Sequence, residues 1–215
     1  MHAILKEIQK TGIVPVVVIN DSKDAEPLAK ALCEGGLPCA EITFRTAAAE
    51  ESIRIITESF PEMLVGAGTV FTKEHVDCAV GAGASFIVSP GLNPVVVEYC
   101  QSKEIPIIPG AVTPTELEAA LSYGLEVIKF FPAEASGGLD MIKALAAPFA
   151  TMKFMPTGGI HAGNINTYLA FPKIVACGGS WMVKNEFVDN GNFEKIKKLT
   201  QEAVHLIRRG MIDYA

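Results

Sequence analysis

Eight short runs of apolar, mostly β-branched residues recur along the chain, each followed by a stretch with helical spacing. The runs are "IVPVVVI" (13–19), "CAEITFR" (39–45), "LVGAGTV" (64–70), "FIVSPG" (86–91), "IPIIPGAV" (105–112), "EVIKFFP" (126–132), "KFMPTGG" (153–159) and "KIVACGGSW" (173–181). Between them, "DAEPLAKALCEGG", "AAAEESIRIITESF", "TKEHVDCAVGAG", "NPVVVEYCQSK" and "TPTELEAALSYG" predict helices, and "MHAILKEIQKTG" predicts one before the first strand. A last helix is expected over "NFEKIKKLTQEAVHLIRRG", with Asn192 at its N-cap, and Asp21, Ser22 and Asp24 read as a capping cluster. Strands that are apolar on nearly every position are parallel strands covered on both faces. Eight such units in one chain predict a (β/α)₈ barrel, here a compact single domain over 1–215. The competing doubly wound sheet requires a dinucleotide-type glycine loop, and "GAGTVF" (66–71) lacks the third glycine.

Composition narrows the function without naming it. Hydrophobic residues make up 49% and charged residues 20%, enough for a sizeable core and against global disorder. The net charge is −6 with no basic run, which argues against nucleic acid or an anionic membrane as the main partner. No apolar stretch approaches the ~20 residues of a membrane span. Five scattered cysteines (33, 39, 78, 100 and 177) without a CxxC predict reduced, buried thiols in a cytoplasmic protein. His2, His75, His161 and His205 lack ligand spacing, so no metal is expected.

A barrel gathers its chemistry at the C-terminal ends of its strands. The polar residues at those ends are Glu41, Thr43 and Arg45, then Thr69, Ser89 with Pro90, Lys129, Thr157 to Gly159, and Gly178 to Ser180. In "VIKFFPAE" (127–134), alternation places Val127, Lys129 and Phe131 on one face and Ile128 and Phe130 on the other, turning Lys129 inward. Two roles then stand open for Lys129: half of a buried ion pair with Glu41, or an amine whose pKa is lowered so that it attacks a ketone. The glycine pairs in "PTGGI" (156–160) and "CGGSW" (177–181) read as phosphate loops on adjacent strands, although a single such pair is often a plain turn. "ASGGL" (135–139) reads as a turn, and Trp181 as a pocket, core or interface residue.

With "EITFRT", "GAGTV", "SPG", "IPGAVTPTE", "KFFPAE", "PTGGI" and "GGSW" in order, the chain resembles the 2-keto-3-deoxy-6-phosphogluconate (KDPG) aldolases. These are also called 2-keto-4-hydroxyglutarate (KHG) aldolases, and the resemblance runs from about residue 5 to 210. It implies a class I aldolase on a (β/α)₈ barrel that needs no metal or other cofactor, is usually a homotrimer, and serves sugar-acid breakdown of the Entner–Doudoroff type. Lys129 would form the Schiff base, with Glu41 as the general acid/base. Arg45 and Thr69 would hold the substrate carboxylate beside Pro90, and Phe131 would wall the site. Gly158, Gly159, Gly179 and Ser180 would hold phosphate. The implied products are pyruvate with glyceraldehyde 3-phosphate, or with glyoxylate from the shorter substrate. A galactonate epimer as substrate, and a non-catalytic sugar-phosphate-binding barrel, are the competing expectations.

Overall fold

The computed structural model describes residues 1–213, with side chains through Ile207. Helix α1 (Ala3–Thr11) leads into β1 (Ile13–Val17), and strands and helices then alternate: α2 (Ala25–Glu34), β2 (Cys39–Thr43), α3 (Ala49–Ser59), β3 (Leu64–Gly68), α4 (Lys73–Gly81), β4 (Phe86–Val88), α5 (Pro94–Ser102), β5 (Ile107–Ile108) and α6 (Pro114–Ser122). There follow β6 (Val127–Phe130), α7 (Gly138–Ala146), β7 (Lys153–Pro156), α8 (Ile165–Leu169), β8 (Cys177–Gly179), α9 (Asn185–Asp189) and α10 (Phe193–Asp213). All eight strands fall inside their expected runs. Each is shorter, because backbone pairing ends before the apolar pattern does.

Every strand pair is parallel. Six strands form a curled sheet in the order β5-β4-β3-β2-β1-β8, and β6 with β7 forms a separate ladder. The expected eight-stranded ladder is thus interrupted twice. Isolated parallel bridges stand at the gaps: Gly110 with Lys129 at the first, and Phe154 with Ile174 and Thr157 with Gly178 at the second. The first gap has a plain cause: Pro106 and Pro109 have no N–H to donate, so β5 keeps two residues of the expected eight.

Two apolar layers follow from the alternation. Ala40, Ile42, Ile128 and Phe130 point outward into the large core shared with the helices. Val14, Cys39, Phe86, Val88, Ile108, Val127 and Met155 point the other way and pack together, with Leu5 and Ile8 of α1 in the same cluster. Each Val, Leu, Ile, Phe or Met among them, fully buried, contributes roughly 1.5–3 kcal/mol. Of the expected capping cluster, Asp21 forms a cap, whereas Asp24, directly before α2, makes no side-chain cap bond. Asp21 accepts from Lys23 N, and Thr72 and Asn93 cap α4 and α5. Thr113 and Glu116 form a reciprocal capping box on α6. "ASGGL" is more than a turn: Gly137 and Gly138 take φ of 98° and 57°, and α7 starts at Gly138.

Candidate active site

Lys129 is held by its main chain before its side chain does anything. Its N–H donates to the Pro109 carbonyl at 2.8 Å and its carbonyl accepts from Ala111 N at 2.9 Å. On the other side it pairs with Met155 of β7. The alternation sends the ammonium inward, where Nζ lies 3.0 Å from Glu41 Oε1. The lysine side chain is 6% exposed and the glutamate 0%. Removing either partner would strand a buried charge, at a cost of about 3–5 kcal/mol.

Glu41 reaches that position because β3 gives way. A Cβ on Gly68 would lie 2.2 Å from Glu41 Oε1 and 2.7 Å from its carboxyl carbon. Only glycine leaves the carboxylate its place. Oε2 is buried and has no hydrogen-bond partner among the described residues. An oxygen in that state is ready to take a proton from a bound molecule. Beside the pair, the Phe131 ring centre lies 5.3 Å from Nζ.

Arg45 and Thr69 meet at the next two strand ends. The Arg45 Nε–H donates to Thr69 Oγ1 at 3.2 Å, and Thr69 takes φ of 59°, the left-handed region that a threonine rarely enters. β2 ends at Thr43, whose hydroxyl donates to Val17 O, and Arg45 N folds back onto Thr43 O. Strict alternation therefore does not reach Arg45, yet the exposed guanidinium still borders the cavity described next. Pro90 follows β4 and fits against Gly110, where a Cβ would lie 2.0 Å from the Pro90 carbonyl oxygen.

A cavity of about 310 Å³ opens between Arg45, Phe131, residues 157–160, residues 178–180 and Asn185. Gly158 and Gly159 both have positive φ, 98° and 81°. The carbonyls of Thr157, Gly158 and Gly159 accept from Ala133 N, Glu134 N and Asn164 Nδ2 at 2.8, 3.1 and 3.0 Å. The N–H groups of Gly159 and Ser180 meet no acceptor among the described residues. A turn whose carbonyls are bound while N–H groups point into a cavity has the geometry that can cradle an anion. Gly178 and Gly179 keep the cavity's other wall close. A Cβ on the first would lie 2.3 Å from Thr157 Oγ1, and on the second 2.1 Å from the Trp181 ring. Trp181 is thus half-buried packing behind the site. Cavities of about 440 and 510 Å³ lie at the opposite strand ends, near Leu64 and Val127, away from the lysine and the arginine.

The structure brings Lys129 to Glu41 and Phe131, and Arg45 to Thr69 and the two glycine pairs. Three residues behind the cradle, Glu134, Asn164 and Tyr168, had no signal in the sequence beyond their type. Asn185 is one more.

The geometry can be set beside known proteins. Residues 4–199 match the family model described as KDPG and KHG aldolase. A 2-dehydro-3-deoxy-phosphogluconate aldolase of Haemophilus influenzae is 47% identical over 205 residues, covering 95% of this chain and 97% of that one. A KHG/KDPG aldolase of Escherichia coli is 42% identical over 200 residues, covering 93% and 94%. Among solved structures, the KDPG aldolase of Legionella pneumophila, with pyruvate captured as a covalent carbinolamine, superimposes with a TM-score of 0.89 at 40% identity, covering 93% of this chain and 97% of that one.

Proposed function

This chain belongs to the KDPG and KHG aldolase family, and from that membership we propose that it is a Schiff-base aldolase using Lys129 as nucleophile and Glu41 as proton carrier. The observation that carries the assignment is the buried Nζ–Oε1 contact of 3.0 Å beside an unpartnered Oε2. Glu41 takes a proton from the Lys129 ammonium, and the free amine attacks the C2 ketone of 2-keto-3-deoxy-6-phosphogluconate. Glu41 gives that proton to the carbinolamine hydroxyl, which leaves as water, and an iminium forms. Glu41 as carboxylate removes the C4 hydroxyl proton, the C3–C4 bond breaks, and its electron pair flows into the iminium to form an enamine. Glyceraldehyde 3-phosphate departs as the aldehyde. Glu41 returns its proton to C3, and water hydrolyses the resulting iminium to release pyruvate and the Lys129 ammonium. The same steps on 4-hydroxy-2-oxoglutarate yield pyruvate and glyoxylate.

Arg45, paired with Thr69, holds the C1 carboxylate, since a guanidinium matches a carboxylate edge to edge. Pro90 closes that subsite and Phe131 keeps water from the imine. Gly158, Gly159, Gly179 and Ser180 hold the phosphate, an assignment supported by the free N–H groups of Gly159 and Ser180 and by Arg45 sharing the same cavity. No step calls for a metal or another cofactor.

The proposal extends to architecture. We read residues 1–215 as one domain in which the two ladders close into an eight-stranded (β/α)₈ barrel, supported by the three isolated bridges and by the shared inner cluster. A homotrimer fits the exposed Phe71 and Val95, 52% and 53% accessible, with Val80 and Leu121 also exposed. Light scattering should return about three times the 22.9 kDa chain mass. A cytoplasmic setting fits five free cysteines.

Pyruvate and borohydride should leave a reduced adduct on Lys129, located by peptide mass spectrometry. An adduct elsewhere, or activity retained in Lys129→Met, rules the mechanism out. Glu41→Gln should still trap pyruvate while turnover falls roughly 10²–10⁴-fold.

A further inference from the structure

Glu134 leaves the chain just after β6, in a 3₁₀ turn spanning Glu134–Ser136. Its N–H donates to Gly158 O. Its side chain then lies along the back of the next residue: a Cβ on Gly159 would come within 2.4 Å of Glu134 Cγ and 2.7 Å of its Cβ. The carboxylate at the far end accepts a hydrogen bond from the hydroxyl of Tyr168, on α8. Tyr168 is 2% exposed. Burial first, and then the bond to Glu134, push its pKa upward, so the hydroxyl stays a donor at any physiological pH. Gly138 leaves room for the contact, since a Cβ there would lie 3.0 Å from Tyr168 Oη and 3.4 Å from Glu134 Oε1. From the other side, Asn164 Nδ2 donates to Gly159 O while its Oδ1 accepts from His161 N.

We infer that Glu134, anchored by Tyr168, is a positioning residue that fixes the Gly158–Gly159 turn and so sets the preference for phosphorylated over unphosphorylated substrate. The inference rests on the phosphate reading of that turn. Glu134 makes no ion pair among the described residues. A negative charge behind an anion site repels the anion it helps to hold. Its contribution is therefore shape: the two methylene carbons support Gly159, and the Tyr168 bond stops them from swinging away.

That distinction gives the test. Steady-state kinetics are measured on the phosphorylated substrate and on 4-hydroxy-2-oxoglutarate, for Tyr168→Phe, Glu134→Ala, Glu134→Gln and Ser180→Ala. Tyr168→Phe and Glu134→Ala should raise KM for the phosphorylated substrate roughly five- to tenfold, the size of one ordinary hydrogen bond lost. Tyr168→Phe should leave turnover of the short substrate unchanged. Glu134→Gln keeps the stem and an acceptor for Tyr168 while removing the charge, so its KM should match or fall below that of the unaltered protein. Equal losses on both substrates for Tyr168→Phe mean a general structural role and overturn the inference. A preference lost in Ser180→Ala but intact in Tyr168→Phe and Glu134→Ala overturns it while sparing the phosphate site. A preference intact in all four variants overturns both.

Discussion

A methyl group on residue 68 would occupy the space that the Glu41 carboxylate now fills, 2.2 Å from Oε1. Gly68→Ala should therefore push the carboxylate off Lys129. Overpacking of this kind costs about 1–3 kcal/mol of stability. The loss in kcat should exceed what that destabilisation explains at a temperature where the variant is fully folded, and a kcat equal to the parent's would show that Glu41 works from another position. The thiols make a second residue-scale case. Burial pushes Cys39 and Cys100 from an ordinary 9.0 up to about 12, and raises Cys177 as well. The unfolded chain loses these protons above pH 9 while the folded chain keeps them. The stability they contribute is thus complete below pH 9 and drains away as pH rises towards 12. Urea midpoints measured from pH 8 to 10.5 should fall, and Cys39→Ala should flatten the fall. Lys129 and Glu41 were legible because strand alternation is a local rule acting on adjacent positions. The bond between Glu134 and Tyr168 was not, because 34 positions separate the partners and no period links them.

Helix α6 shows how much a few residues at one end decide. Glu116 Oε2 accepts from the N–H groups of Val112 and Thr113 and from the Thr113 hydroxyl, while Thr113 accepts from Glu116 N. Burial raises the Glu116 pKa, but the three donors outweigh it and hold the carboxyl below its usual range. Thr113→Ala should cost about 1 kcal/mol in chemical denaturation, with Thr113→Ser retaining most of it. Such caps are set by consecutive residues, here Thr113 to Glu116 at the start of α6. Strand lengths were less readable. "IPIIPGAV" has the apolar pattern of a full strand, but its prolines leave β5 with Ile107 and Ile108. In "KIVACGGSW" the first residues bind Phe154 of β7 through an isolated bridge before β8 begins at Cys177. Apolar pattern reports burial, and a ladder also needs donors in register.

The molecule as a whole is unevenly laced. β2 and β3 share five aligned residue pairs, whereas one bridge joins the β5 and β6 segments and two join those of β7 and β8. Hydrogen exchange should follow that order, slowest along β2–β3 and faster at the amides spanning the two gaps. The proposed chemistry crosses one of them. Lys129 belongs to the two-stranded ladder, while Glu41 and Arg45 extend from the six-stranded one. A pyruvate bonded to the lysine, with its carboxylate on the arginine, becomes a strut spanning two pieces of sheet that the backbone itself joins sparingly. The borohydride-reduced adduct should then melt higher than the free protein, and exchange at Ala111 and Lys129 should slow more than exchange in β3. In that state three carbons of substrate act as a cross-link, and turnover includes cutting it.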